Sequence, residues 1–268
     1  LEELPLLLGS KYVQSTSYVC YSEIKDNLQK GKNVLFCGTS CQVEGLKKYL
    51  QNDYENLFTM DLICHGVIKQ SLFQEHIKVL ERKYKGKIVD FSFRKKDCGK
   101  IQFVEKLSVE RNNGTISKVE VRRPKYIKMF MSGEFYRDSC YNCQYSSINK
   151  VSDITVGDYF EYDKDLDHYD DLLLDSYISS IIIHNSRGEE LIERFGSELR
   201  LYTTDIFRMQ LFHPQLCFPA TYSMKRIRAE HKYKRRGIKG IYGFSFWDDT
   251  LLNAMKKPIR LLKRVLKK

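Results

Sequence analysis

The eight residues Val34-Leu35-Phe36-Cys37-Gly38-Thr39-Ser40-Cys41 constrain the fold more than any other stretch. Four apolar residues read as a buried strand, and Gly38-Thr39-Ser40 interrupts it. Val43, Leu46 and Leu50 then fall on one face of a helix. Cys41 therefore stands where a strand turns into a helix, the place where open α/β sheets collect ligands. Helix-start N–H groups and the positive end of the helix dipole favour anionic groups there. Gly38 permits the tight turn and a close backbone approach.

The neighbouring pattern repeats this unit. Residues 23–29 read as a short helix ended by Gly31, and 56–65 as a second strand ending in Cys64-His65-Gly66. Residues 70–84 carry Phe73, Ile77, Leu80 and Tyr84 on one helical face, closed by Gly86. Strand, helix, strand, helix implies parallel strands joined by right-handed crossovers. The pattern then changes. Ile88, Phe91 and Phe93 alternate with charged or small residues, and 102–121 read as a hairpin about Asn112-Asn113-Gly114. A short helix over 124–131 precedes the thiol pair Cys140-Tyr141-Asn142-Cys143; strands at 152–159 and 176–184 and a helix at 189–195 follow. The expected class is mixed α/β: a central, mostly parallel sheet with flanking helices, an inserted β-hairpin region and a helical C-terminal tail. A domain over 1–200 and a basic helical extension over 201–268 are the expected units, and past residue 205 the local pattern fades.

At 268 residues and 42% hydrophobic content, the chain has enough apolar material for a globular core. No apolar run reaches the ~20 residues of a membrane-spanning helix, and Leu1-Glu2-Glu3 lacks the basic start of a secretory signal. A first residue that is Leu rather than Met suggests a fragment. Lys and Arg exceed Asp and Glu by 45 − 34 = 11, but the charge is patchy: 161–175 is acidic, 225–239 and 256–268 are basic. These read as solvated faces rather than a nucleic-acid stripe. Residues 251–268 form a basic amphipathic pattern with Pro258 inside it. Such a helix either packs on its own domain or lies on an anionic membrane surface. A cytoplasmic protein, with that helix offering peripheral contact to the inner face of the membrane, is the expectation.

Eight cysteines lack the dense spacing of a secreted disulfide scaffold, so reduced thiols holding a metal or cluster explain them better. Cys140-x-x-Cys143 is a chelating pair. Cys41 and Cys64 lie at the same edge of the expected sheet and complete four thiolates from three segments. That set suits a [4Fe–4S] cluster or structural zinc, and spacing leaves both open. Cys37 reads as a small core residue, and Cys20, Cys98 and Cys217 as bystanders. His65 is an acid, a flavin contact or a structural donor. Arg94 with Lys95 and Lys96 is a phosphate clamp or a basic turn. Asp158 is a sugar or base contact or a strand-end cap, and Gly9-Ser10-Lys11-Tyr12-Val13-Gln14-Ser15 is a polar loop able to hold a phosphate. The competing function class is a zinc-stabilised or degenerate binding module whose basic patches meet an anionic polymer or membrane surface.

Together, the 9–15 loop, Gly38-Thr39-Ser40-Cys41-Gln42, Cys64-His65-Gly66-Val67, Phe93-Arg94-Lys95-Lys96, Ser139-Cys140-x-x-Cys143 and Ser152-Asp153-Ile154-Thr155-Val156-Gly157-Asp158 resemble the coenzyme F420 hydrogenase/dehydrogenase beta-subunit family over roughly the first 195 residues. The resemblance implies a flavin-dependent iron–sulfur oxidoreductase, with FAD beside a [4Fe–4S] cluster and substrates in the class of deazaflavin F420, chlorophyll derivatives or disulfide proteins. It implies Cys41, Cys64, Cys140 and Cys143 as cluster ligands and Ser10, Lys11, Thr39, Ser40 and Arg94 as FAD contacts. Beside these, Lys96 and Asp158 are taken as further candidate cofactor contacts and His65 as the candidate catalytic residue. This chain departs from the family pattern at Ser40, where Pro is usual, at Ile68-Lys69, where Pro-Ser is usual, and at Tyr159-Phe160-Glu161, where an aromatic-Trp-Gly run is usual. Many relatives carry an upstream two-cluster ferredoxin-like domain whose eight-cysteine pattern this sequence lacks. Electrons would then enter from that missing part or from a separate electron donor or acceptor protein.

Overall fold

Local chemistry sets the first elements. A computed structural model describes residues 9–97, 100–159 and 178–242; Cys98, the acidic stretch 161–175 and the amphipathic segment 251–268 lie outside them. Helix α1 (Tyr21–Gln29) buries Tyr21, Ile24 and Leu28 and stops before Gly31, whose φ of 74° no β-branched residue would adopt readily. Strand β1 (Val34–Thr39) then passes directly into α2 (Ser40–Leu50), which buries Val43, Leu46 and Leu50. Gln42 Oε1 accepts from the Thr39 N–H at 2.9 Å, satisfying a donor at the helix entry. Strand β2 (Leu57–Leu62) follows, then α3 (Gln70–Tyr84).

The helix α3 differs from expectation at its end. Lys85, not Gly86, takes the left-handed turn at φ 52°. Gly86 is needed for another reason: a Cβ there would stand 2.5 Å from the Glu110 carbonyl oxygen. Beyond it, β3 (Lys87–Asp97), β4 (Lys100–Glu110) and β5 (Ile116–Glu120) form a three-stranded antiparallel sheet. The β4–β5 turn places Gly114 at φ 77°, as the Asn-Asn-Gly run requires. After α4 (Lys125–Ser132) and a 3₁₀ turn at Asp138–Asn142, the chain returns to the first sheet as β6 (Ile154–Asp158) and β7 (Ser179–Ile183).

The first sheet has the order β1-β2-β6-β7, with β1, β2 and β6 parallel and β7 antiparallel to β6. The fold is thus mixed α/β, with the antiparallel sheet inserted between β2 and β6. Helices α1 and α2 cover only the face bearing Phe36 and Leu57. Leu35 and Cys37 point the other way and are exposed, Leu35 at 54%. The expectation of a fully buried strand with Cys37 in the core is therefore corrected. β1 is an edge strand, and its apolar run is buried on alternate residues only.

Further helices follow, among them α5 (Ser186–Phe195), α6 (Ile206–Phe212) and α7 (Met224–Arg236). The basic run expected as a solvated face is α7 itself, and it buries Arg226 and Ala229. Ala229, Ile238 and Ile241 join Tyr126, Phe130 and Tyr136 in one core. No helix among the described residues is long and apolar enough to cross a membrane.

Candidate functional site

Strand register builds the site. Thr39 pairs with Leu62, and Leu62 with Val156. Cys41, Cys64 and Asp158 each lie two residues beyond this row, at one edge of the sheet. Burial pushes the Cys64 thiol up to about 12; Cys140, Cys41 and Cys143 stand within electrostatic reach and push it the same way. The Gly66 N–H hydrogen-bonds this sulfur and opposes the shift. Cys140 is likewise raised, mainly by burial, with the Val67 N–H bonded to it and Cys143 and Cys41 close enough to act on its charge. Cys64 thus lies within electrostatic reach of the other three thiols singled out in the sequence. Among the described residues no three His, Cys, Asp or Glu side chains form a set for a single metal ion.

Gly66 makes the Cys64 turn workable. Its φ is 124°, and a Cβ would meet the Tyr136 ring at 2.5 Å. Tyr136 is 4% exposed and feels Cys64 and Cys140. Gly66→Ala is expected to lose about 2–4 kcal/mol of stability in urea unfolding, from backbone strain plus overpacking. An unchanged midpoint would show that Tyr136 yields freely.

Beside the thiols lies a second group. Arg94 grips Asp158 through two hydrogen bonds, of 2.6 and 3.2 Å. The Arg94 guanidinium stacks over Tyr12 and Phe103, at 5.5 and 5.1 Å from the ring centres. His65 lies within electrostatic reach of Arg94, Asp158 and His213, and burial holds its pKa below the usual value. Gln215 Nε2 donates to His65 Nδ1 at 2.6 Å, and His213 Nε2 donates to the Asp158 carbonyl at 2.7 Å. Three buried polar atoms here have no well-formed hydrogen bond among the described residues: Tyr12 OH, Arg94 Nε and Gln215 Oε1. Burial also raises the Tyr12 hydroxyl's pKa.

The other expected site residues sit differently. Ser40 is 3% exposed, and its hydroxyl proton is committed to Asp61, which also accepts from Thr155. Thr39 Oγ1 lies 3.1 Å from the Cys41 sulfur. Lys11 Nζ donates to the Gly9 carbonyl, and Ser10 stands within reach of the Tyr12 side chain. Lys96 lies on β3 opposite Ile101. Sequence reasoning missed Tyr12 as a site residue, although it sits inside the quoted 9–15 loop. It also missed His213 and Gln215, for which no local pattern exists.

The family model for the C terminus of the coenzyme F420 hydrogenase/dehydrogenase beta subunit matches residues 31–208, two-thirds of the chain. No curated protein matches the chain. The matched span holds the four thiols, His65, Arg94 and Asp158, and leaves out Tyr12, His213, Gln215 and Arg226. It assigns the chain an oxidoreductase role. By this match the chain belongs to the coenzyme F420 hydrogenase/dehydrogenase beta-subunit family.

Proposed function

We propose that the chain is a flavin-dependent iron–sulfur oxidoreductase, in which Cys41, Cys64, Cys140 and Cys143 hold a [4Fe–4S] cluster and the Arg94–Asp158 group faces FAD. The observation that carries this reading is the reach of Cys64 to the other three thiols, the four being drawn from three separate segments. Four thiolates match the ligand set of such a cluster. Four thiolates equally suit one structural zinc, so the metal found in the purified chain separates the two readings. The residues also fit a flavin, since the Tyr12 OH, Arg94 Nε and Gln215 Oε1 are buried without a well-formed hydrogen bond among the described residues, and the Arg94 guanidinium stacks on the Tyr12 ring. Buried polar atoms are nearly always satisfied, so such a cluster of orphans favours a ligand.

When bound, the flavin supplies two-electron exchange with a substrate and the cluster one-electron transfer. The chain's own residues do the rest. Backbone N–H groups of Gly66 and Val67 donate to the Cys64 and Cys140 sulfurs and offset thiolate charge. Asp158 fixes the Arg94 guanidinium plane, and Nε is left without a well-formed hydrogen bond among the described residues. Gln215 holds the proton of His65 on Nε2, where the ring donates rather than accepts. Electrons enter from a donor protein or leave to an acceptor protein, or pass through an upstream ferredoxin-like domain.

The test is the anaerobically purified chain, analysed for iron, sulfide, zinc and FAD and by its visible spectrum with and without dithionite. About four irons per chain with flavin bands are expected, and Arg94→Gln is expected to release most of the FAD while keeping the iron. A colourless protein with stoichiometric zinc would overturn the redox reading in favour of a binding module.

A further inference from the structure

We infer that Arg226 is a positioning residue for the Cys140–Cys143 thiol pair, an inference that rests on the redox reading above. Arg226 lies on α7, beyond the residues that the family model matches. It is 1% exposed. A guanidinium has no way to shed its charge when buried, so it needs acceptors on every side. Nearly all of those acceptors come from one short segment. Nη1 donates to the carbonyls of Tyr136 (2.8 Å) and Glu134 (3.2 Å) and to the Tyr141 hydroxyl (2.7 Å). Nη2 donates to Asp138 and, at 2.7 Å, to Glu230 on α7 itself, while Nε has no well-formed hydrogen bond among the described residues. The guanidinium also stacks on the Tyr141 ring, 4.2 Å from its centre.

That segment carries the thiols. Tyr141 lies between Cys140 and Cys143, and Asp138 opens the 3₁₀ turn. The turn is five residues long, lacks a side-chain cap and joins no sheet. Such a loop holds a ligand pair in place only where something ties it down. Arg226 ties both ends at once, because its donors are fixed in a planar fork. The Tyr141 hydroxyl extends the tie, donating to the Gly133 carbonyl at 2.6 Å and accepting from the Tyr136 N–H. The helix is itself set at this point: Ser223 accepts the Arg226 N–H at 3.2 Å. Arginine is required here rather than any cation, since a lysine offers one point of donors and no stacking plane.

The experiment measures thiol reactivity residue by residue, with the full-length chain purified anaerobically without metal. Wild type, Arg226→Lys, Arg226→Met and the milder Tyr141→Phe are pulsed with iodoacetamide and each cysteine is followed by peptide mass spectrometry. The expected result is several-fold faster alkylation at Cys140 and Cys143 in all three variants, with Cys20 unchanged. After reconstitution with iron and sulfide, the Lys and Met variants are expected to give an altered EPR line shape in the reduced state. A general loosening speeds Cys20 as well; if the Arg226 variants do this while Tyr141→Phe leaves Cys140 and Cys143 at wild-type rates, the inference is overturned. Unchanged rates at both thiols in every variant overturn it too. A wild-type chain that takes up no iron but shows the selective pattern sinks the cluster assignment and leaves the positioning role standing.

Discussion

Cys64→Ser is expected to reduce the iron content of the reconstituted chain from about four per molecule to background, and to abolish the reduced-state EPR signal. The reason lies in geometry rather than in the count of ligands. Cys64 is the thiol that the other three all act upon, and it is the best buried of the set. A serine hydroxyl at that position is a hard, weakly acidic donor, whereas iron–sulfur clusters are held by soft thiolates. Burial already opposes ionisation of the sulfur itself, up to about 12. A metal held by Cys64 would have to displace that proton, so its uptake would weaken as the pH falls. The same substitution should leave the apo chain folded, because the main cores consist of aromatic and aliphatic side chains with no thiol among their buried members. The comparison to make is iron and sulfide per chain, EPR and far-ultraviolet circular dichroism on wild type and variant side by side. Full iron in the variant would remove Cys64 from the ligand set and with it the proposed cluster. Lost iron with a collapsed dichroism spectrum would instead make the cysteine a packing residue.

How far the sequence reaches depends on how local the cause is. The strand-to-helix junction at 34–50 and the helix at 70–84 were legible because apolar spacing alone decides them. The Asn-Asn-Gly turn was legible because positive φ singles out glycine. The placing of Cys41 and Cys64 was legible at one remove: parallel order puts successive strand ends side by side, and register does bring these two to one edge. What stayed hidden was set by contacts between distant segments. Arg94 and Asp158 are 64 residues apart and pair across two sheets. His213 and Gln215 reach the site from a stretch with no periodicity. The basic run on α7 read as solvent-facing because its buried stripe amounts to one arginine and one alanine. A charge surrounded by other charges gives no sign, in sequence, of which one is inside. Glu105 did give such a sign. It stands on the strand face shared with Leu107 and Val109, where an alternating pattern asks for an apolar residue.

Glu105→Ala is expected to destabilise the chain by about 3–5 kcal/mol, the range for leaving buried polar partners unpaired. Glu105 is fully buried. Its Oε1 accepts from the backbone N–H groups of Tyr126 at 2.6 Å and Ile127 at 3.3 Å. These are orphan donors in the first turn of α4, whose cap residue is Pro124 and offers no side-chain bond. A carboxylate from β4 thus does the work of the missing cap and meets the positive end of the helix. The other oxygen, Oε2, takes the Nε2 proton of the buried His76 at 3.0 Å, and His76 Nδ1 faces the Tyr242 hydroxyl. One side chain so joins the inserted sheet to α3, to α4 and to the chain beyond α7. Alanine strands two helix N–H groups and a histidine in a dry core and leaves a cavity beside Tyr126. Glu105→Gln is the discriminating control. Its amide oxygen still accepts the two N–H groups, while its NH₂ meets the His76 proton, so its loss should be about 1–2 kcal/mol, one strained hydrogen bond's worth. Urea unfolding followed by circular dichroism reads both. Because α4 buries Tyr126, Ile127, Met129 and Phe130 against Tyr136, fraying of its first turn also loosens the support beneath Cys64 and Cys140. The alanine variant should therefore load iron poorly at temperatures where it is still mostly folded. Equal unfolding midpoints for wild type and Glu105→Ala would show that water or a neighbouring side chain replaces the carboxylate, and the capping argument would fail.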